Sequence, residues 1–125
     1  MTTYKSRKAK GRNLQNYVRD ELLNLLHDVT VDDVQSRIMG VAGEDIILSS
    51  SARKQFPYST ECNNQEKISH WSAWEQCRSN ANGHEPLLIV KRNHTQPLVV
   101  MDSAHFFWTL YKTIISARTI IEKEK

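Results

Sequence analysis

Two short apolar runs, Leu87-Leu88-Ile89-Val90 and Leu98-Val99-Val100, set the strongest limit on how this chain can fold. Neither carries alternating polar residues, so each predicts a strand covered on both faces, over Pro86–Lys91 and Pro97–Met101. Covering both faces of a sheet takes helices, and helical patterns lie on either side of the runs. From Gly11 to His27, Leu14, Val18, Leu22, Leu25 and Leu26 recur at three- and four-residue spacing. Ser69 can cap a second helix running to about Asn80, with Trp71, Trp74 and Cys77 as inward positions. Phe106, Phe107, Leu110, Tyr111 and Ile114 open a last helix that ends in the polar tail EKEK. Strands interleaved with helices predict an α/β fold with a central mixed β-sheet flanked by helices, in one domain over residues 11–121.

A chain of 125 residues can bury a core without disulfide staples. Its two cysteines, Cys62 and Cys77, form no CxxC pair, so both read as reduced thiols and not as zinc ligands. No run approaches the ~18 apolar residues of a membrane span, and the N-terminus lacks a signal-peptide core. The reading is therefore of a cytoplasmic chain with no membrane partner. The absence of a glycine-rich phosphate loop argues against a nucleotide cofactor, and the five histidines show no HExxH spacing. Charge is distributed unevenly. Lys5, Arg7, Lys8, Lys10 and Arg12 lie in the first twelve residues, with no acid before Asp20. Residues 1–10 predict a flexible basic arm suited to phosphate-backbone contact, and residues 122–125 a charged tail.

The chemistry concentrates between Gly43 and Lys67. Val34–Met39 predicts an edge strand and Gly40–Gly43 a turn, which delivers Asp45 to the start of Ile46-Ile47-Leu48. Ser49–Ser51, followed by Ala52, Arg53 and Lys54, reads as a capped helical turn that Pro57 limits. Ser59–Gln65 is the second strand, carrying Glu61 sixteen residues after Asp45. Two strands with a carboxylate on each are a plausible cradle for a hard divalent cation, which takes one or two carboxylates plus water and phosphate oxygens.

The ordered segments GEDIILS, FPYSTEC, NNQEK and PLLIVKRN resemble the PD-(D/E)XK nuclease superfamily, most of all its small phage-type, Holliday-junction-resolvase-like endonucleases. The resemblance covers roughly residues 11 to 112. It implies a restriction-endonuclease-like core, dependence on Mg²⁺ or Mn²⁺, DNA as partner and substrate, a role in DNA recombination and a homodimer. Within it Asp45 and Glu61 are the metal ligands, and the Cys62 carbonyl is within reach of the ion. The lysine position of the family's motif is Asn63, the main departure. Lys67 shares the strand face of Glu61, Asn63 and Gln65 but lies about 13 Å along it from Asn63. Glu21, at the edge of the first helix's apolar face, corresponds to a first-helix carboxylate in many members. Gln65 is a candidate to orient water or contact DNA. Lys8, Lys10, Arg12, Arg53, Lys54, Lys67, Lys91 and Arg92 are the candidate phosphate contacts. Four readings stay open: a junction-cutting endonuclease, a nicking or site-specific duplex endonuclease, a DNA-binding protein attenuated by Asn63, and a small partner-binding protein with no nucleic-acid role.

Overall fold

The computed structural model describes residues 3–38 and 40–124. Helix α1 spans Tyr4–Leu25, so the run expected as a flexible arm is helical from Tyr4 onward. Thr3 accounts for the early start, because its hydroxyl accepts the Ser6 N–H at 3.1 Å. Lys5, Arg7, Lys8, Ala9 and Lys10 are good helix formers that need no apolar face. The basic stretch is also tied to the body, since the Asn64 amide donates to the Lys10 carbonyl at 3.1 Å. At the other end the Leu26 N–H closes the last turn on the Leu22 carbonyl. Leu25, expected on the apolar face, is exposed there.

Strands β1 (Val34–Ser36) and β2 (Ile46–Leu48) form an antiparallel pair with Gln35 opposite Ile47. The first strand is shorter than Val34–Met39, and Met39 lies outside the described residues. Helix α2 (Ser50–Gln55) follows as expected, its N-cap Ser49 accepting the Ala52 N–H at 3.2 Å. A second sheet has the order β3 (Tyr58–Asn64), β4 (Glu85–Lys91), β5 (Leu98–Val100). β3 and β4 run parallel with Glu61 opposite Leu88, and β5 returns antiparallel with Val99 opposite Ile89. Helix α3 (His70–Ser79) makes the crossover that parallel strands require. The sheet is mixed and flanked by helices, the α/β architecture the apolar runs predict.

Helix α1 lays Leu14, Val18 and Leu22 on Val34, Ile46, Ala52, Leu87 and Ile89. The alternate residues of β4, Leu88 and Val90, join Cys77 in a second cluster beneath Trp74 and Val100. β4 is thus buried on both faces, because strand alternation feeds two separate cores. β5 differs from expectation. It is an edge strand, and Leu98 and Val99 are both more than half exposed. Trp71, expected inward, is 82% exposed on the outer side of α3. The last helix, α4 (Ser103–Glu124), has no buried residue. Among the described residues no helix is long and apolar enough to cross a membrane.

Candidate active site

The turn before β2 aims Asp45. Gly43 holds φ at +115°, a conformation side chains disfavour, and a β-carbon there would stand 3.2 Å from the Arg37 guanidinium carbon. That guanidinium is fixed by donating to the Glu44 carbonyl. Asp45 then docks on β3 twice. Its N–H donates to the Thr60 carbonyl at 2.8 Å, and its Oδ2 accepts the Cys62 N–H at 2.7 Å. These two bonds stitch the two-stranded sheet to the three-stranded one at the point where both carboxylates meet.

Glu61 lies on β3 and comes within hydrogen-bonding reach of the Asp45 carboxyl group. Its Oε1 also accepts from the Asn80 side-chain amide at 2.8 Å, offered from the C-terminal end of α3. Burial raises the Asp45 pKa, against the opposing pull of the Cys62 N–H, the Glu61 contact and the Arg37 charge. Burial likewise lifts Glu61, to about 7; the Asn80 bond opposes this and the neighbouring Asp45 charge adds to it. Two desolvated acids in contact resist losing both protons. A cation placed between them reverses that preference.

Both carboxylates open on a cleft of about 280 Å³. β3 contributes Glu61, Cys62, Asn63 and Asn64 to its wall, and Gln65 follows. α1 contributes Arg7, Gly11 and Gln15, one stripe at four-residue spacing. Two side-chain oxygens in this wall are buried and have no hydrogen-bond partner: Oε1 of Gln15 and Oδ1 of Asn63. Gln15 is only 3% exposed. An orphaned buried acceptor is costly, so two of them beside two carboxylates mark a place built for a donor or a cation.

The structure therefore brings Asp45, Glu61, Cys62, Asn63 and Gln65 together. Cys62 turns its side chain to the opposite face, into the α1 core, and burial pushes its thiol well above the usual range. The buried Cys77 thiol, 4.0 Å from the Ser59 carbonyl, is pushed up to about 12. Both are free thiols. Glu21 is exposed and does not line the cleft; the α1 residue that does so most deeply is Gln15. The helical wheel did not separate the two. At ~100° per residue Gln15 and Glu21 fall equally far beyond the two ends of the Leu14–Val18–Leu22 face, and it is the packing of α1 on β3 that buries the Gln15 edge. Asn80 was not legible locally, because its partner Glu61 is nineteen residues away.

The candidate phosphate contacts divide. Lys67, Lys91 and Arg92 meet at a second cleft of about 760 Å³, which Glu66 and His70 also line. Lys8 and Arg12 are exposed on α1 and Lys54 on α2, while Lys10 is half-buried. Arg53 is engaged internally, ion-paired with half-buried Glu44 and donating to the Tyr58 carbonyl.

The donor set fits a hard divalent cation. Among the described residues no three His, Cys, Asp or Glu side chains gather as a metal-binding group. Mg²⁺ needs no such cage: one or two carboxylates suffice, the rest of its shell being water and phosphate oxygen. Comparison of the chain with protein-family models, with curated proteins and with solved structures gives no match.

Proposed function

We propose that this chain is a Mg²⁺- or Mn²⁺-dependent endonuclease with a restriction-endonuclease-like, PD-(D/E)XK core, acting on branched DNA in the manner of a Holliday junction resolvase. The observation that carries this reading is the meeting of Asp45 and Glu61 across the joint between the sheets, beside the orphaned oxygens of Gln15 and Asn63. Asp45, Glu61 and the Cys62 carbonyl would hold the cation. When bound, it polarises the scissile phosphate and acidifies water for in-line attack. The side chains do the rest. Cys62 N–H fixes one Asp45 oxygen and the Asn80 amide fixes one Glu61 oxygen, so neither carboxylate is free to turn. The Gln15 and Asn63 oxygens, buried beside the carboxylates with no partner in the protein, are acceptors left over for a donor that enters with the substrate. Arg7 supplies positive charge at the mouth of the cleft, and the Lys67, Lys91 and Arg92 cluster offers a second anchor for the phosphate backbone.

A DNA-binding protein that does not cut is the second reading, favoured by the uncharged Asn63 where the motif carries lysine. Cleavage of a labelled four-way junction and a matched duplex, with Mg²⁺ or Mn²⁺, separates the two. The expected result is metal-dependent cutting of the junction, faster than of the duplex. Asp45→Asn keeps an acceptor for the Cys62 N–H but removes the charge, and should lower cutting below detection while leaving salt-dependent DNA binding intact. Unchanged cutting in that variant removes Asp45 from the site. Binding without cutting, restored by Asn63→Lys, establishes the second reading. Equal cutting of duplex and junction assigns a duplex endonuclease.

A further inference from the structure

We infer that the cleft beside Asp45 and Glu61 takes one unpaired DNA base that carries an exocyclic amine, the amine donating to the Gln15 and Asn63 side-chain oxygens. The inference rests on the proposed function above in taking DNA as the occupant. Among the described residues, the buried side-chain oxygens without a hydrogen-bond partner are those of Gln15, Thr60 and Asn63, and the first and last of these line the cleft. Thr60 carries a hydroxyl, which can itself donate, whereas an amide oxygen can only accept. Gln15 is 3% exposed, so bulk water does not serve its oxygen. Two acceptors held dry in one cleft call for a donor that the protein does not provide.

The backbone within a DNA strand cannot supply that donor. Its phosphate and sugar oxygens only accept, so a donor that arrives with the substrate belongs to a base edge. A base stacked and paired in a duplex does not reach an oxygen as buried as that of Gln15, so the base has to leave the stack. Unpaired bases leave it at the lowest cost, which agrees with a branched substrate. The cleft also has an apolar side. Ile38 and Val41, 79% and 51% exposed, line it from a turn closed by the Val41 N–H on the Ile38 carbonyl at 3.2 Å. They offer an apolar surface to the flat face of a base, for which neither water nor a bare cation has any use. Base identity follows from the acceptors. Adenine, cytosine and guanine each carry an exocyclic amine, whereas thymine would turn carbonyl oxygens toward the Gln15 and Asn63 oxygens and the two carboxylates. Arg7, lining the same cleft, is placed to hold the phosphate next to that base.

Fluorescence anisotropy of short labelled duplexes with one central unpaired nucleotide tests it, on the full chain with Ca²⁺ in place of Mg²⁺ as the oxygen-binding cation. Unpaired adenine, cytosine and guanine should each bind about 10-fold tighter than thymine or an abasic site. Gln15→Leu should erase that preference. Ile38→Ser, at an exposed position of the apolar side, should weaken binding of all three amine-bearing bases and leave the abasic duplex unchanged. Lys67→Ala, in the other cleft, should weaken every duplex alike. Equal affinity for the four bases and the abasic site overturns the inference, and so does a preference that survives Gln15→Leu. An unpaired ribonucleotide that binds tighter whatever its base overturns it in favour of a sugar hydroxyl. Cutting with Mg²⁺ is read on the same duplexes. A binding preference without any cutting removes the nuclease reading and keeps the base pocket, whereas cutting with no base preference in binding removes the pocket alone.

Discussion

Helices α1 and α4 each have 22 residues, yet they break the inside–outside rule in opposite directions. α1 buries a polar residue, Gln15, whose oxygen finds no partner in the protein. α4 exposes large apolar side chains from Phe106 to Ile121, Trp108, Ile115 and Ile120 among them, and buries nothing. Scattered exposed apolar side chains are ordinary, whereas a buried orphaned amide and a helix ringed by exposed apolar side chains are not. The two anomalies therefore point to different things absent from a lone chain: a polar guest for the cleft beside α1, and an apolar cover for α4.

The contrast is sharpened most by truncation. Leu22→Ala on α1 should lower stability by about 2–4 kcal/mol, since it hollows the core against Val34, Ile46 and Leu87. Leu110→Ala on α4, measured in urea, should change stability by less than about 0.5 kcal/mol. Equal losses at the two positions would break the comparison. Next in size, Gln15→Leu should leave stability unchanged or raise it by about 1 kcal/mol, because it deletes an unsatisfied acceptor. The same change should lower metal-dependent cutting about 10- to 100-fold, the range seen when groups orienting a metal site are removed. A gain in stability with full activity would make Gln15 a packing residue only.

The smallest effect is in pH. The Glu61 carboxyl is raised from 4.5 to about 7, so the stability it contributes in the metal-free protein is complete below about pH 4.5 and is lost as pH climbs through about 7. Melting temperature should fall gently across that window, moderated by solvent screening, and Glu61→Gln should flatten the slope. Mg²⁺ should reverse the trend above pH 7, where both carboxylates can ionise to receive it.

Much of this was legible in the chain. Asp45 ahead of an apolar run, Ser49 as a cap and the strand period of Ser59–Gln65 are short-range signals, and the elements follow them closely. The double burial of β4 was equally plain in Leu87–Val90. What escaped depends on neighbours distant in sequence. Gln15 and Asn80 meet the site only after α1 and α3 have packed on β3. β5 reads as a covered strand although nothing among the described residues lies beyond its edge. Trp71 reads as core because tryptophan usually is, yet α3 turns Cys77 and Trp74 inward and leaves Trp71 outside.

The bond from the Cys62 amide to Asp45 Oδ2 makes the site observable without a label. An amide proton held by a carboxylate shifts its resonance as that carboxylate gains or loses charge. The backbone signal of Cys62 is thus a built-in gauge of the Asp45 electrical state. Followed across pH and then across added Mg²⁺, it would separate the arrival of a proton from the arrival of a cation at the same oxygen pair. The amide of Asp45 itself, bonded to the Thr60 carbonyl, reports in the same spectrum whether the joint between the two sheets stays closed.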